Sequence, residues 1–223
     1  MESHAALRAI PFMYGLSDVE IDRLVAALRR RRFARNEVVF HRDDPGNCLY
    51  LIAKGTLKIA LRYEDGREII LTLLGVGDYF GELALLDGEP RSADAIAVEP
   101  CELLLLPRDV FLRFIEESPG AALRLLEALG AQFRRLTDTV HDAAFLDVPG
   151  RLARVLQTLS KPAEGEATPA VVRVTQNDLA AMVGATRESI NRWLGYYQDQ
   201  GWIRRERGSV VIIDREALMH QQR

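Results

Sequence analysis

The feature that most limits how this chain can fold is a narrow apolar seam. Within residues 120–145, Leu126, Leu129, Phe133, Leu136, Val140 and Ala143 follow one another at alternating steps of three and four. That is an a/d pattern sustained over more than two heptads. Arg134, Arg135, Asp138 and Asp142 flank it. A helix packed only on its own domain is one reading. The narrowness of the stripe and its charged borders fit pairing between two chains better, so a long helix and a homodimer are expected.

The seam divides two segments of different texture. Ser17-Asp18-Val19-Glu20 has capping-box form, and Ile21, Leu24, Val25 and Leu28 follow at helical spacing. A short helix is predicted there, ending at the basic run Arg29–Arg32, where cations suit a helix C-terminus. From Glu37 to Pro107 the chain reads instead as short β runs at 38–40, 49–52, 56–61, 68–73 and 102–106, punctuated by Asp44-Pro45-Gly46, Lys54-Gly55, Asp65-Gly66, Gly75 and Gly77. Asp-Gly between two such runs is a strong hairpin signal, and the spacing suggests a barrel or sandwich. After Pro107 and Arg108, Asp109 is expected to open a short helix over 110–117. Beyond the seam, Asp147-Val148-Pro149-Gly150 reads as a hinge that breaks the helix. A further helix places Leu152, Val155, Leu156 and Leu159 on one face, and 161–169 reads as a polar loop.

Composition narrows the function. The chain has 223 residues, 29 basic and 32 acidic, with a net charge of −3. This length allows one large or two small domains with a real core. No stretch approaches the ~18 apolar residues of a membrane span, and the N-terminus lacks the pattern of a secretory signal. Cys48 and Cys101 are too few for a disulfide framework or a zinc cluster and sit in apolar strand-like surroundings. Buried thiols in a reducing cytoplasm are expected. Residues 1–146 carry 18 basic and 23 acidic side chains, against 11 and 9 in residues 147–223, which hints that the C-terminal part meets polyanions. There is no metal cluster, P-loop or nucleophile–base pair, so an enzyme is not expected.

Two constellations carry chemistry. The first lies within residues 80–93. Leu83 to Leu86 can form one helical turn, opened by Gly81 and Glu82, whose first N–H groups suit an anion. Gly81 permits close approach of a ligand, Arg91 offers a planar donor fork for phosphate oxygens, and Ser92 adds a hydroxyl. Glu82 repels phosphate but can accept from a sugar hydroxyl. Read singly, Glu82 would cap the short helix, Arg91 would make a surface ion pair and Gly81 would serve a turn. Their joint spacing points to a compact nucleotide.

The second constellation spans residues 175–213. Thr175 caps a helix with Leu179, Met182 and Val183 on its core side; Val183-Gly184-Ala185 is a short turn; and Thr186 caps a second helix with Ile190, Trp193, Leu194 and Tyr197 inward. This is the helix-turn-helix pattern. Arg187, Glu188, Asn191 and Arg192 lie outward near the start of the second helix. Arg suits guanine, Glu suits cytosine N4 and Asn can pair with adenine. Ile203 to Ile213 alternates toward a hairpin around Arg207-Gly208, a wing whose Arg204, Arg205 and Arg207 suit phosphates.

In this order, joined by a long helix, these segments resemble the Crp–Fnr family of bacterial transcription regulators, over about residues 10–215. Residues 80–93 resemble its phosphate-binding cassette, Phe145-Leu146-Asp147-Val148-Pro149-Gly150-Arg151 its hinge, and 183–192 its recognition element. The likeness is greatest to the cyclic-AMP receptor branch. The chain lacks the cysteine cluster of the oxygen sensors, and its four histidines show no haem pattern, so no metal, haem or iron–sulfur centre is expected. The resemblance implies an α+β architecture. A cyclic-nucleotide-binding β-roll (1–118) leads into a dimerisation helix (119–146) and a winged helix-turn-helix (147–223). It implies cyclic AMP as effector, with Gly81 and Glu82 at the ribose, Leu83 offering a backbone N–H, and Arg91 and Ser92 at the cyclic phosphate. Leu136 and Thr137 occupy the two adenine-facing positions of the long helix, where Leu136 departs from the polar residue the branch carries. It further implies Arg187, Glu188 and Arg192 as base readers, Thr175 as a phosphate contact, double-stranded palindromic DNA as partner, and RNA polymerase as a second partner; Thr186 and Asn191 join them as expected DNA-binding residues.

Overall fold

The computed structural model describes residues 2–160 and 171–221, so the loop expected at 161–169 lies outside the described residues. The chain divides into two units, residues 1–133 and 134–223, with the division inside the long helix.

The first unit opens with α1 (Glu2–Arg8), a 3-10 turn (Pro11–Met13) and α2 (Asp18–Ala27). Ser17 caps α2 through the predicted capping box: its Oγ accepts from the Glu20 N–H, and the Ser17 N–H donates to Glu20 Oε2 at 2.8 Å. These Ser17 hydrogen bonds hold the Glu20 carboxyl below its usual range. Residues 29–32 do not extend that helix. They form β1 (Arg29–Phe33), antiparallel to β8 (Cys101–Pro107). The buried Glu102 in β8 is the reason: Arg30 Nη1 and Arg32 Nε reach its two carboxylate oxygens at 2.6 and 3.2 Å.

The remaining strands are β2 (Val38–Phe40), β3 (Cys48–Lys54), β4 (Leu57–Arg62), β5 (Glu68–Leu74), β6 (Tyr79–Phe80) and β7 (Asp94–Ala97). They form two antiparallel four-stranded sheets, ordered β1-β8-β3-β6 and β2-β7-β4-β5. Tyr50, Ile52 and Leu103 of the first sheet pack with Leu57, Ala95 and Ala97 of the second. The opposite face of the first sheet carries Leu49, Leu51, Leu104 and Leu106, which Leu7, Ile10, Phe12, Met13, Ile21 and Phe111 cover. The first sheet is therefore buried on both faces, so β3 and β8 read as continuous apolar runs rather than as alternating ones. The β4–β5 hairpin turns at Asp65-Gly66, with Gly66 at φ +83°. Both cysteines are buried and free.

Between β6 and β7 lies the short helix α3 (Leu83–Leu86). Then α4 (Arg108–Glu117) starts two residues before the expected 110, with Pro107 at its N-cap in place of Asp109. The long helix α5 spans Pro119–Phe145. Leu126, Phe133, Leu136 and Val140 of the predicted seam are exposed, Phe133 to 70%, while Leu129 packs on the core of the first unit.

In the second unit the helix break falls at Leu146-Asp147, and not at the proline. Asp147 caps α6 (Val148–Leu159), its side chain accepting from the Gly150 N–H at 3.0 Å. Pro149 sits in the first turn, where its missing N–H costs nothing. After β9 (Val171–Arg173) come α7 (Gln176–Val183), α8 (Arg187–Asp199), β10 (Ile203–Glu206), β11 (Ser209–Ile212) and α9 (Arg215–His220). The strands form one sheet ordered β10-β11-β9. Leu152, Leu156, Leu179, Ile190, Leu194, Tyr197, Ile203 and Leu218 share one core.

Candidate ligand and DNA-binding sites

In the first unit the predicted nucleotide residues gather around Arg91. This side chain is 3% exposed. Its Nη1 donates to Gly81 O at 2.7 Å and its Nη2 to Cys48 O at 2.9 Å. The guanidinium lies over the rings of Phe40 (4.4 Å) and Tyr50 (5.5 Å), and Tyr50 in turn stacks on Phe80 at 4.9 Å. The main chain is fixed as well: Arg91 N–H donates to Asp44 O, and Asp43 N–H to Arg91 O, both at 2.9 Å. Nε is buried and has no hydrogen-bond partner. No ion pair among the described residues joins Arg91 to a carboxylate; the guanidinium bonds carbonyl oxygens and lies on aromatic faces, and the buried Glu82 carboxyl feels its charge without pairing with it. The surface ion pair that Arg91 read singly would make is thus not what the structure contains.

Gly81 adopts φ +85°, and a Cβ there would meet Arg91 Nη1 at 2.4 Å. Glycine is required twice over, for the left-handed backbone and for the approach of the guanidinium. Glu82 is 4% exposed and makes no side-chain cap to α3, which removes the capping reading. Burial pushes its carboxyl above the usual range, partly opposed by Arg91. Leu83 is exposed at the first position of α3, where a helix leaves N–H groups unpaired. Ser92 is exposed beside Arg91. Leu136 (51% exposed) and Thr137 lie on α5 within the second unit.

In the second unit the helix-turn-helix is built as its caps dictate. Thr175 Oγ1 accepts from Asp178 N–H and donates to Asp178 Oδ2 at 2.6 Å. Gly184 takes the left-handed conformation (φ +67°) that ends α7, and Ala185 N–H returns to Ala180 O at 3.0 Å. Thr186 caps α8 through the Ser189 N–H at 3.2 Å. Both threonines predicted at DNA therefore have cap roles already, and both are exposed. Arg187, Glu188, Asn191 and Arg192 are all exposed on α8. With Gln176 and Arg205, Arg187 lines a cavity of about 350 Å³ between α7, α8 and the β10–β11 wing.

Sequence reasoning missed the ties that hold this unit to its hinge. Tyr197 is fully buried in α8, and its hydroxyl donates to Pro149 O at 2.6 Å; burial pushes that phenol upward. Arg151 donates from Nε to Val183 O at 2.9 Å and from Nη1 to Leu146 O at 2.7 Å. Arg154 reaches the buried Asp142 at 3.0 and 3.4 Å. The signal was present only as Arg151 and Arg154 one turn apart. Among the described residues no group of His, Cys, Asp or Glu could hold a metal ion, and no helix is long and apolar enough to cross a membrane.

Comparison with known proteins places the same two regions. Residues 30–118 match the cyclic nucleotide-binding domain, and residues 150–221 the Crp-like helix-turn-helix domain. The chain is 36% identical to a CRP-like cAMP-activated global transcriptional regulator of Mycobacterium tuberculosis, over 94% of this chain and 95% of the relative. It is 32% identical to a cyclic AMP receptor protein of Thermus thermophilus, over 97% of each. Among solved structures, the c-di-GMP responsive global regulator CLP of Xanthomonas campestris matches with a TM-score of 0.71 at 30% identity, covering 88% of this chain and 99% of that one.

Proposed function

The chain belongs to the Crp–Fnr family of transcription regulators, and from that premise we propose that it is a cytoplasmic homodimer whose operator binding is controlled by cyclic AMP, without turnover of the nucleotide. The observation that carries the effector reading is the buried Arg91, held against Gly81 with its Nε unpartnered and no carboxylate paired to it. A phosphate is the anion such a cation lacks, and charge-assisted bonds to it are stronger than those to neutral carbonyls. Glu82 takes a ribose hydroxyl, Leu83 N–H and Ser92 add donors, and Leu136 and Thr137 meet the base. The relatives named cAMP-activated support cyclic AMP over other cyclic nucleotides. The exposed apolar seam of α5 is the dimer surface. Arg187, Glu188, Asn191 and Arg192 read bases in a major groove, Thr175 and Thr186 adjoin the backbone, and the two-fold axis implies a palindromic operator with half-sites one DNA turn apart. RNA polymerase is the downstream partner.

Leu136 supports a second reading, a regulator that responds to another nucleotide or to none, because it offers no hydrogen bond to adenine. Fluorescence anisotropy on a palindromic duplex of TGTGA half-sites, at fixed salt, separates the two. Tightening of tenfold or more on adding cyclic AMP, a coupling of about 1.4 kcal/mol, supports the first. Tight binding indifferent to cyclic AMP supports the second.

A further inference from the structure

On the proposed DNA-reading face, one side chain has its hydrogen-bonding character already decided. Asn191 lies on the exposed side of α8. Its Oδ1 accepts from Arg205 Nη2 at 2.7 Å and from Gln176 Nε2 at 3.4 Å. Three elements meet there: the start of α7, the first half of α8 and the wing strand β10. Arg205 is half-buried, and its backbone N–H donates to Gln198 Oε1 at 3.2 Å, so the wing is tied to α8 at two points. The Tyr197–Trp202 ring contact at 5.5 Å backs the same junction from the core side.

The chemistry follows from counting lone pairs. An amide oxygen has two, and here both are used; the amide nitrogen keeps two N–H donors. A guanidinium has donors only, so the amide cannot be turned over without setting N–H against N–H. Pairing of an asparagine with adenine needs one donor and one acceptor from the same amide, for N7 and N6. Asn191 has no acceptor left to give.

We propose that Arg205 is a positioning residue that makes Asn191 a donor-only reader of the major groove, selecting a keto base edge (guanine O6 and N7, or thymine O4) over adenine, where only N7 accepts and the N6 amino group opposes it, and over cytosine, which presents only a donor, at the position it faces. This replaces the adenine pairing expected from the asparagine alone, and it rests on the DNA-binding reading above. Arg205 thereby differs from Arg204 and Arg207 of the same wing. Arg204 pairs with Glu206 at 3.1 Å, and neither shares a hydrogen bond with α8 among the described residues.

The test is selection from a randomised duplex library by the full-length protein with cyclic AMP, at fixed salt, for wild type, Asn191→Ala, Arg205→Ala and Arg205→Lys. Wild type is expected to enrich a motif with guanine or thymine at one position per half-site that Asn191→Ala flattens. Arg205→Ala frees Oδ1, so at that same position the relative affinity for adenine rises tenfold or more, while the other positions keep their preferences. Arg205→Lys, which still donates, restores most of the discrimination. Three outcomes overturn the inference: adenine preferred by wild type at that position, Asn191→Ala leaving every position unchanged, or Arg205→Ala weakening all duplexes equally with a shallower salt dependence, as for a phosphate contact. Failure of wild type to enrich any motif with cyclic AMP, with cyclic GMP, with cyclic di-GMP and without nucleotide overturns the DNA-binding reading itself, and this inference with it.

Discussion

Replacing Gly81 by alanine tests the arrangement around Arg91, and Gly88→Ala is its internal control. Both glycines are left-handed, at φ +85° and +79°, and the backbone penalty for a Cβ in that region is roughly 1–2 kcal/mol at either position. The surroundings differ. Nothing lies within 4 Å of a Cβ at Gly88, whereas one at Gly81 meets Arg91 Nη1 at 2.4 Å and Cζ at 3.3 Å. The guanidinium must retreat, and the 2.7 Å bond to Gly81 O is lost. A hydrogen bond to a charged group contributes about 1.5–3 kcal/mol. The expected cost is therefore about 2.5–5 kcal/mol for Gly81→Ala against about 1–2 for Gly88→Ala. Urea unfolding without nucleotide measures it. Trp193 and Trp202 both lie in the second unit, so tryptophan fluorescence tracks that unit and far-ultraviolet circular dichroism follows both, which isolates the transition of the first. Equal costs for the two variants, within the ~0.5 kcal/mol of ordinary additivity error, would refute the reasoning: Arg91 would then be free to move aside, and its buried bonds would count for nothing.

Other perturbations follow from the same geometry. Tyr197→Phe strands the Pro149 carbonyl and is expected to destabilise the second unit by about 1–3 kcal/mol, read by the same fluorescence; a loss under ~0.5 kcal/mol would mean that water replaces the hydroxyl. Burial raises the folded Glu82 carboxyl above its unfolded value, so the native state binds that proton more tightly and stability falls as pH rises from the usual carboxylate range through the raised value. Glu82→Gln should therefore gain stability relative to wild type as pH rises through that window and lose cyclic AMP affinity; a pH-independent difference in unfolding free energy sinks this. On the proposed reading Leu136→Thr puts a hydroxyl at a position assigned to the base and should tighten cyclic AMP binding about fivefold, the equivalent of one neutral hydrogen bond of ~1 kcal/mol, measured by isothermal titration.

What the sequence made legible was whatever a local pattern encodes. The Ser17–Glu20 box, the Asp65-Gly66 hairpin, the Thr175 and Thr186 caps and the Gly184 turn each depend on residues within four positions of one another, and each formed as read. Strand β1 was hidden because four successive arginines erase the period-two signal; only the distant Glu102 tells Arg30 and Arg32 from Arg29 and Arg31. Strand β7 (Asp94-Ala95-Ile96-Ala97) is alanine-rich and low in β propensity, yet lies between β2 and β4, where small side chains fit a packed interior. In the nucleotide site, residue types announced donors for an anion. They could not announce that Arg91 turns inward, since its acceptors Cys48 O and Gly81 O are backbone atoms brought near by the fold. The same limit applies to Asn191, whose acceptor capacity is used by a wing residue fourteen positions away.

The preloaded state of Arg91 also constrains how a ligand would act. On the proposed reading, a cyclic phosphate does not find a free cation; it offers an anion to a guanidinium that already donates twice and keeps three N–H groups, one each on Nε, Nη1 and Nη2. If the phosphate takes only N–H groups that the carbonyls leave free, the carbonyl bonds survive, the backbone of Gly81 and Cys48 stays where it is, and binding adds affinity without moving the strands. If it instead takes the N–H that Nη1 or Nη2 gives to a carbonyl, that carbonyl is released, and the net gain is only the difference between a bond to an anion and one to a neutral oxygen. Only the second exchange alters what the first unit presents to the rest of the chain. A ligand shifts an equilibrium by no more than its differential affinity for the two states. Arg91→Lys, which has no Nε fork, would therefore weaken binding under either exchange. Gly81→Ala, which displaces Nη1 in advance, would reduce coupling to DNA more than binding only if the second exchange operates. Comparing the cyclic AMP dissociation constant with the DNA-binding enhancement in that one variant distinguishes a cassette that merely holds the nucleotide from one that transmits its presence.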